Sequence, residues 1–352
     1  MKLLVTGGSG FIGSAVVRNA VGRGWDVVNV DKLTYAATPG ATVSVSDLDA
    51  YTLEQIDICD AAAVATAFEV HQPSAVMHLA AESHVDRSID GPAEFINTNI
   101  VGTSVLLAAA TEYYNALAPP ERESFRFHHV STDEVFGSLG AEGVFTVDTP
   151  YDPRSPYSAS KAAADHLVSA WHHTYGLPTV LSNCSNNYGP FHFPEKMIPL
   201  MIISALRGDP LPIYGKGDNV RDWLYVEDHA VALLEIVSRG EIGQTYLIGG
   251  GAERSNIEVV HGICDLLDEL QPRETGSHRD AISFVTDRPG HDQRYAIDYS
   301  ATETALGWAP SVGFGEGLRR TVEWFLANEE WWAPLVEQRA AVSRRGLGVD
   351  GE

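Results

Sequence analysis

The sequence predicts an α/β protein in which a doubly wound parallel sheet is followed by a smaller α/β lobe. From residue 3 to about residue 180, short β-rich runs alternate with stretches of helical period, which is typical of parallel strands joined by helices. A glycine-rich turn separates the first run from the first helix. After Gly189-Pro190, prolines become frequent and the pattern mixes helix and strand, so a second lobe is expected there.

The elements of the first part follow one another as strand and helix. Five β-rich runs are predicted to be strands: 3–6, 26–30, 75–79, 127–131 and 179–183. Four segments with helical period are predicted to be helices: 11–22, 61–70, 93–114 and 158–175. Each helix can supply one crossover between parallel strands.

Composition and charge exclude several classes of protein. The 352 residues are 44% hydrophobic, so the chain can bury a full core, and disorder or a disulfide miniprotein is excluded. Lys plus Arg number 24 against 47 Asp plus Glu, and the net charge of −23 argues against nucleic-acid binding. The 3 cysteines are scattered, so neither a metal site nor a disulfide framework is predicted. With no leader-like or membrane-spanning pattern, a cytoplasmic protein is expected.

The glycine-rich turn indicates a Rossmann-type site for a dinucleotide. Gly7, Gly10 and Gly13 follow a strand and open a helix, where glycine permits a tight turn and the helix N-terminus attracts a pyrophosphate. Asp31 ends the second strand, where a carboxylate would bind the adenosine ribose and repel a 2′-phosphate. NAD is therefore favoured over NADP, although the adjacent Lys32 weakens that preference.

Two groups of polar side chains point to proton and hydride chemistry. Thr132, Asp133 and Glu134 follow a buried strand, at the sheet edge where ligands of open α/β folds bind. Tyr157 and Lys161 are spaced to share one helix face. An ammonium beside a phenol lowers the phenol pKa, so we expect Tyr157 to be a base near neutral pH.

Several segments together resemble the extended short-chain dehydrogenase/reductase family, and within it the 4,6-dehydratases that act on dTDP-glucose. They are 79–88 (LAAESHVDRS), 131–137 (STDEVFG), 183–190 (NCSNNYGP) and 288–292 (RPGHD), with the glycine turn and the Tyr-x-x-x-Lys pair. The resemblance covers nearly the whole chain. It implies tightly bound NAD that is regenerated in each cycle, a nucleotide-sugar substrate and a homodimer formed through helices 93–114 and 158–175.

The resemblance also implies roles for individual residues. Tyr157, beside Lys161, would take the proton of the sugar 4-hydroxyl while NAD accepts the hydride, and Thr132 would hydrogen-bond that hydroxyl. Glu134 would remove the carbon 5 proton while a protonated Asp133 gives its proton to the leaving hydroxyl at carbon 6. The expected cofactor contacts are Gly7, Gly10, Phe11, Ile12, Gly13, Asp31, Lys32, Leu33, Thr34, Asp57, Ile58, Leu79, Ala80, Ala81, Ser83, Thr98, Tyr157, Lys161 and Asn186.

The substrate pyrophosphate requires local cations in an acidic protein, and Lys196, Arg221 and Arg288 are the candidates. Pro212 and Tyr214 are expected around the base. The full set of expected substrate contacts is Ser83, His84, Thr132, Asn186, Asn187, Lys196, Met197, Pro212, Tyr214, Arg221, Asn256, Arg288 and His291. No metal is expected.

The sequence is therefore divided into a mainly NAD-binding domain, 1–188, a mainly nucleotide-sugar-binding lobe, 189–335, and a tail, 336–352. Some elements of the second lobe are expected to return to the first. Dehydration of a UDP-, CDP- or GDP-sugar stays open. Thymine and uracil in particular differ by one methyl group, which is worth only about 1–3 kcal/mol in a binding pocket. A 4-epimerase would not need Asp133 and Glu134. A non-catalytic NAD-binding scaffold is the alternative from a different class.

Overall fold

The computed structural model describes residues 1–287 and 290–341. Its strands are β1 (Lys2–Thr6), β2 (Asp26–Asp31), β3 (Tyr51–Gln55), β4 (Ala75–His78), β5 (Arg126–Thr132), β6 (Thr179–Cys184), β7 (Asn186–Tyr188), β8 (Leu211–Tyr214), β9 (Val220–Tyr225), β10 (Thr245–Ile248), β11 (Glu253–Ser255) and β12 (Ile282–Val285).

The helices lie between and after these strands. They are α1 (Phe11–Gly22), α2 (Ala61–His71), α3 (Val85–Asp90), α4 (Pro92–Phe95), α5 (Thr103–Ala116), α6 (Pro119–Ser124), α7 (Pro156–Tyr175), α8 (Met197–Arg207), α9 (Val226–Arg239), α10 (Asn256–Leu270), α11 (Ser300–Leu306), α12 (Phe314–Ala327) and α13 (Glu329–Ala341). A π-helical segment, Ile96–Gly102, joins α4 to α5, and 3-10 turns cover Pro39–Thr42, Asp133–Phe136 and His278–Ala281.

A 7-stranded sheet in the order β10-β6-β5-β4-β1-β2-β3 forms the centre of the molecule, and all its strand pairs are parallel. Helices cover both faces because the central strands are apolar on both sides. In β1, Leu3 and Val5 pack with α1 and α9, whereas Leu4 faces the cluster that contains α2 and α5. The fold class is the doubly wound Rossmann type that the sequence predicts.

The strand order positions the site. The chain runs from β1 outward through β2 and β3, then returns to β4 on the other side of β1 and continues to β5 and β6. Loops that leave β1 and β4 therefore diverge and open a crevice at the carboxyl end of the sheet. The glycine turn follows β1 at this edge, and Thr132 ends β5 at the same edge.

The later part of the chain builds a second core beside this crevice. Three strands, in the order β11-β9-β7, and the pair β12-β8 are packed with α8, α10 and α12 around residues such as Ile202, Ile263 and Phe325. Other elements return to the first sheet, since β10 pairs with β6 and α9 packs against α1. The expected boundary near residue 188 is therefore only approximate, because elements after it contribute to both cores.

Two predicted segments differ from the structure. The helix expected over 93–114 is helical from Pro92 to Ala116 but is widened into a π segment at Ile96–Gly102, where the Asn99 amide bonds to the backbone of Glu82. The tail expected over 336–352 begins within α13, which the buried Trp332 anchors by donating from Nε1 to Phe325 O at 2.8 Å. The remainder, 342–352, lies outside the described residues.

One helical stretch, Pro92–Ala116, is long and apolar enough to cross a membrane by length and composition. Its inner face contributes Leu106, Leu107 and Ala110 to the core of the first domain. A core helix of this kind passes the same test, so the feature is weak evidence for a membrane span.

The backbone packing around β9 generates a stability prediction. A Cβ at Gly250 would lie 1.9 Å from the carbonyl oxygen of Trp223, which backbone atoms cannot accommodate without moving. Gly250→Ala should therefore destabilise the protein by at least about 1–3 kcal/mol, the usual cost of overpacking. Urea unfolding measures this cost.

The exposed Gly315, near the start of α12, provides the matched control because a Cβ there meets nothing within 4 Å. Gly315→Ala should stabilise the protein by about 0.5–1 kcal/mol through helix propensity and a less flexible unfolded chain. Equal urea midpoints for the two variants would contradict the packing argument.

Candidate active site

The glycine turn after β1 is shaped by close backbone approach. Gly7 has a φ of +75°, and a Cβ on it would meet the backbone nitrogen of Ala80 at 2.7 Å. A Cβ on Gly13 would lie 2.0 Å from the carbonyl oxygen of Gly7. A larger residue at Gly7 would push the turn away from the loop after β4, and one at Gly13 would push the start of α1 away from the turn.

The same turn leaves the N-terminus of α1 open to an anion. Gly10 is the N-cap and has no side chain with which to cap the helix. The first-turn N–H groups and the partial positive charge of the helix therefore face the crevice without a capping carboxylate or hydroxyl from the N-cap. With the close approach at Gly7 and Gly13, this cradle fits the pyrophosphate of a dinucleotide.

Asp31 is held rigidly beside the turn. Its two carboxylate oxygens accept hydrogen bonds from the Ser9 N–H at 2.9 Å and the Leu33 N–H at 2.8 Å. Burial raises the pKa of Asp31, and these two hydrogen bonds oppose the rise. A carboxylate fixed in this way at the end of β2 is placed to bind ribose hydroxyls, as the sequence predicts.

The other residues expected around the adenosine lie close to this carboxylate. Lys32 forms a salt bridge of 2.7 Å with Asp57, which also accepts from the Cys59 N–H. Ile58 is buried and packs toward Gly102 of the π segment, while Thr34 is exposed. Lys32 therefore has a carboxylate partner of its own, which reduces its availability for a 2′-phosphate.

The loop after β4 runs beside the glycine turn. Leu79 N–H and Ala80 N–H donate to Thr6, at 3.0 Å to its carbonyl oxygen and 3.2 Å to its hydroxyl. Further along, the carbonyl oxygen of Ser83 accepts from the Lys196 ammonium at 2.9 Å, which joins this loop to the second lobe. The remaining expected cofactor contacts, Phe11, Ile12, Ala81, Thr98 and Asn186, are all partly buried, and Asn186 has a buried amide oxygen without a hydrogen-bond partner.

Asp133 is the most deeply buried acid of the expected catalytic group, with 1% of its surface exposed. Thr132 Oγ1 donates to Asp133 Oδ1 at 3.3 Å, and Asp133 Oδ2 has no hydrogen-bond partner. Burial raises the pKa of Asp133 well above its ordinary value, and the negative charges of Glu134 and Asp222 add to the rise. Burial and the neighbouring negative charges therefore both favour the protonated form of Asp133.

Tyr157 and Lys161 are both buried on α7, and burial opposes the expected lowering of the Tyr157 pKa. Burial raises the pKa of Tyr157 well above its ordinary value, and the charge of Glu134 adds to this effect. The Lys161 ammonium donates to the carbonyl oxygen of Val130 at 2.9 Å, toward β5. The sequence argument considered the favourable cation but not the loss of water around the phenol.

Residues expected around the base come together in the second lobe. Tyr214 lies on β8 with Pro212, and its ring centroid is 6.3 Å from that of His291. Asn256 begins α10, and its N–H donates at 3.0 Å to the carbonyl oxygen of Asn219, the residue before β9. Met197 begins α8 next to Lys196.

Three expected substrate contacts have protein partners that sequence reasoning did not foresee. The buried Arg221 guanidinium donates to the carbonyl oxygens of Val220 and Asp292, at 2.8 and 2.9 Å, and lies over the Tyr295 ring. The Asn187 amide donates to Ser185 O. His84 Nε2 is 3.6 Å from a Glu195 oxygen. Arg288 lies outside the described residues.

A buried polar network beneath α7 was missed. Asp165 accepts from Ser131 and Tyr151, and Asn99 bonds to Ser160. The only sequence signal for Asp165 is an acid spaced one turn after Lys161 on a helix face that must be buried. Within residues 1–287 and 290–341, no group of 3 or more His, Cys, Asp or Glu could hold a metal.

The charge state of Asp133 generates a pH prediction. Because its folded pKa is raised above the ordinary 3.8, the stabilising proton is fully bound below that value and is lost as pH rises through the folded pKa. Asp133→Asn removes this loss, so the variant should gain stability relative to wild type as the pH rises above 3.8, until the folded pKa of Asp133 is passed. Each pH unit between the two pKa values contributes about 1.4 kcal/mol.

Urea unfolding at several pH values measures the gain. The exposed Asp148 provides the control, since Asp148→Asn removes one carboxyl without burial and should give a constant difference from wild type. A constant difference for Asp133→Asn as well would show that Asp133 is ionised in the folded protein.

Comparison with known proteins agrees with this geometry. Residues 4–321 match the family described as GDP-mannose 4,6 dehydratase. The chain is 61% identical over 341 residues to dTDP-glucose 4,6-dehydratase 1 of Escherichia coli K12, covering 94% of each chain, and 56% identical to the dTDP-glucose 4,6-dehydratase of Neisseria meningitidis serogroup B, covering 99% of each. The crystal structure of DesIV, a dTDP-glucose 4,6-dehydratase from Streptomyces venezuelae with NAD bound, superposes with a TM-score of 0.87 at 41% identity, covering 95% of this chain and 100% of that one. The chain belongs to the extended short-chain dehydrogenase/reductase family, and within it to the nucleotide-sugar 4,6-dehydratases.

Proposed function

We propose that this protein is an NAD-dependent dTDP-glucose 4,6-dehydratase. It converts dTDP-glucose to dTDP-4-keto-6-deoxyglucose and water. The observation that carries the proposal is the buried Asp133 carboxyl, whose pKa burial raises, beside the half-buried Glu134, because elimination of water needs an acid and a base at adjacent positions. The identities of 61% and 56% to dTDP-glucose 4,6-dehydratases support the nucleotide and the sugar.

NAD fits the cradle made by Gly7, Gly10 and Gly13, with Asp31 at the adenosine ribose. When bound, it accepts a hydride from carbon 4 of the sugar and later returns it to carbon 6. Because the same cofactor is restored in every cycle, the site must hold it through the whole reaction. The loops after β1 and β4, packed against each other at Gly7 and Ala80, are suited to that retention.

Tyr157 takes the proton of the 4-hydroxyl, and Thr132 hydrogen-bonds the same hydroxyl. In the structure the pKa of Tyr157 is raised, so the base form requires added positive charge. We infer that the Lys161 ammonium supplies part of that charge, together with the oxidised nicotinamide when it is bound. Tyr157 is then active only in the complete site, which protects the sugar from unproductive proton transfer.

Asp133 and Glu134 divide the elimination. Oxidation at carbon 4 acidifies carbon 5, and Glu134 removes the carbon 5 proton. Asp133 gives its proton to the carbon 6 hydroxyl, which leaves as water. The two roles require unlike protonation states in adjacent residues, and complete burial of Asp133 next to a half-buried Glu134 provides that difference.

The alternatives make different demands on the site. A 4-epimerase would need Tyr157, Lys161 and NAD but no acid for a leaving hydroxyl, so a buried neutral Asp133 would have no task. A non-catalytic scaffold would need none of these side chains. Dehydration of a UDP-, CDP- or GDP-sugar requires the same catalytic residues, and the choice of base falls to the pocket around Tyr214 and Asn256.

We also propose a cytoplasmic homodimer. All 3 cysteines are free, which suits a reducing compartment. The long helical stretch from α4 to α5 exposes Ile96 and Val101 on its outer side, and these apolar side chains could pack against a second copy.

Isotope incorporation tests the proposed reaction. The purified protein, incubated with dTDP-glucose in deuterated water without added NAD, should release one water from the sugar and carry deuterium at carbon 5 of the product. Mass spectrometry and NMR of the sugar nucleotide measure both changes. Unchanged substrate, even after NAD is supplied, would exclude dTDP-glucose and direct the same assay to UDP-, CDP- and GDP-sugars.

A variant test separates oxidation from elimination. Asp133→Asn should still oxidise the sugar but lose water slowly, so bound NADH should accumulate in a single turnover, with overall rate reduced by about 10²–10⁴-fold for loss of a general acid. Tyr157→Phe is the matched control because it blocks the first step and should form no NADH. If Asp133→Asn formed no NADH, or retained the full rate, the acid role of Asp133 would be wrong.

A further inference from the structure

Two oppositely charged side chains are buried one helical turn apart on α7. Lys161 is 4% exposed and Asp165 is 2% exposed, and the spacing of i to i+4 places both on one helix face. An isolated buried ammonium is expensive because it loses its hydration. The Lys161 ammonium donates to a neutral group, the carbonyl oxygen of Val130, at 2.9 Å, so the positive charge still needs a counter-charge.

The Asp165 carboxylate is fixed by donors from three other parts of the chain. Its Oδ2 accepts from Ser131 Oγ at 2.8 Å, Tyr151 OH at 3.0 Å and Asn183 Nδ2 at 3.3 Å. Its Oδ1 lies 3.1 Å from His129 Nε2, close enough for electrostatic attraction but outside hydrogen-bond geometry. Several donors to one buried carboxylate favour its ionised form over a neutral acid.

The other titratable groups around this pair carry no charge near neutral pH. Burial lowers the pKa of His78 on β4 and of His129 on β5, and the Lys161 charge lowers both further. Burial raises the pKa of Tyr151, of Cys184 on β6 and of Tyr157 on α7 itself, and raises that of Asp133 beyond the end of β5. Asp165, whose carboxylate accepts several hydrogen bonds, is thus the counter-charge on the same helix face as Lys161.

We propose that Asp165 is a positioning residue for the reaction, whose buried carboxylate keeps the Lys161 side chain charged and fastens the catalytic helix α7 to the ends of β5 and β6. The attraction acts through space along one helix face, while the hydrogen bonds fix the carboxylate in place. The role deepens the proposed function, on which the catalytic use of Lys161 rests.

The same network reaches the substrate side of the site. Asn183 Nδ2 donates both to Asp165 and to the carbonyl oxygen of Thr132, at 3.0 Å to the latter. Ser131, the neighbour of Thr132, donates to Asp165 as well. Asp165 therefore links the helix that carries Tyr157 and Lys161 to the strand end that carries Thr132 and Asp133.

The charge of Asp165 depends on pH in a way that can be observed. Burial raises its pKa to about 6, against the opposing effects of Lys161 and of the hydrogen bonds from Ser131, Tyr151 and Asn183. Above that pH Asp165 is ionised and raises the pKa of Lys161, opposing the lowering caused by burial. Below it the counter-charge is lost.

Lysine NMR tests the proposal without substrate. The chain has five lysines, Lys2, Lys32, Lys161, Lys196 and Lys216, of which Lys161 is the buried one. In the purified holoenzyme labelled with ¹³C at the lysine ε carbon, the Lys161 signal is assigned by its disappearance in Lys161→Met. Asp165→Asn should lower the Lys161 titration midpoint by about 1–3 pH units, the usual effect of removing one nearby opposite charge.

Tyr151→Phe is the matched control, because it removes one donor to Asp165 but leaves the carboxylate. It should leave the Lys161 midpoint unchanged. In activity assays, Asp165→Asn should move the alkaline limb of kcat to lower pH by the same amount as the NMR midpoint, whereas a merely structural defect would lower kcat equally at all pH values. An unchanged Lys161 midpoint in Asp165→Asn would overturn the proposal, whatever the enzyme acts on.

A second measurement tests the proposal even if the Asp165→Asn variant does not fold. The wild-type Lys161 signal should show a minor inflection near pH 6 as Asp165 ionises. Tyr151→Phe should move this inflection to higher pH, because the carboxylate loses a hydrogen bond that favours its charged form. Absence of the inflection, or its persistence at the same pH in Tyr151→Phe, would also overturn the proposal.

Discussion

Exclusion of water at the carboxyl ends of β5 and β6 is the constraint on which the rest of the site depends. Asp133, Tyr157, Lys161 and Asp165 all lie in this region with less than a tenth of their surface exposed. Desolvation is the largest influence on the pKa of each one, and it always favours the neutral form. A charged group in this region must therefore be stabilised by a specific neighbour, whereas a neutral acid does not require such a neighbour.

Asp133 and Asp165 show the two outcomes of this constraint. They are comparably buried, but Asp165 receives hydrogen bonds from Ser131, Tyr151 and Asn183, whereas Asp133 Oδ2 has no hydrogen-bond partner. Burial raises the pKa of both acids, yet that of Asp165 rises only to about 6. The same residue type is thus suited to the proposed proton donor in one place and to the proposed fixed negative charge in the other. Such sites reduce stability in exchange for function.

Sequence patterns were sufficient for features that depend on local chemistry. The strand and helix periods predicted the parallel sheet, the glycine spacing predicted the tight turn after β1, and the polar run after β5 predicted acids at the sheet edge. The π segment could not be foreseen, because it depends on a contact between Asn99 and a loop that is distant in sequence. The effect of burial on the Tyr157 pKa could not be foreseen for a similar reason, since burial is set by tertiary packing. The role of Asp165 could not be predicted either, because its hydrogen-bond donors Ser131 and Asn183 lie on β5 and β6, which only the folded chain places beside α7.

The cations of this acidic protein illustrate why charge counting alone says little about phosphate binding. Arg221 donates to two backbone carbonyls and Lys196 to another, so part of the hydrogen-bonding capacity expected for the pyrophosphate is used within the protein. A phosphate oxygen is a stronger acceptor than a carbonyl, because both partners are then charged. Binding of a phosphate by either side chain would therefore compete with these carbonyl contacts. The Lys196 contact also joins the second lobe to the loop that packs on Gly7, so this cation has a structural role beside any role in binding.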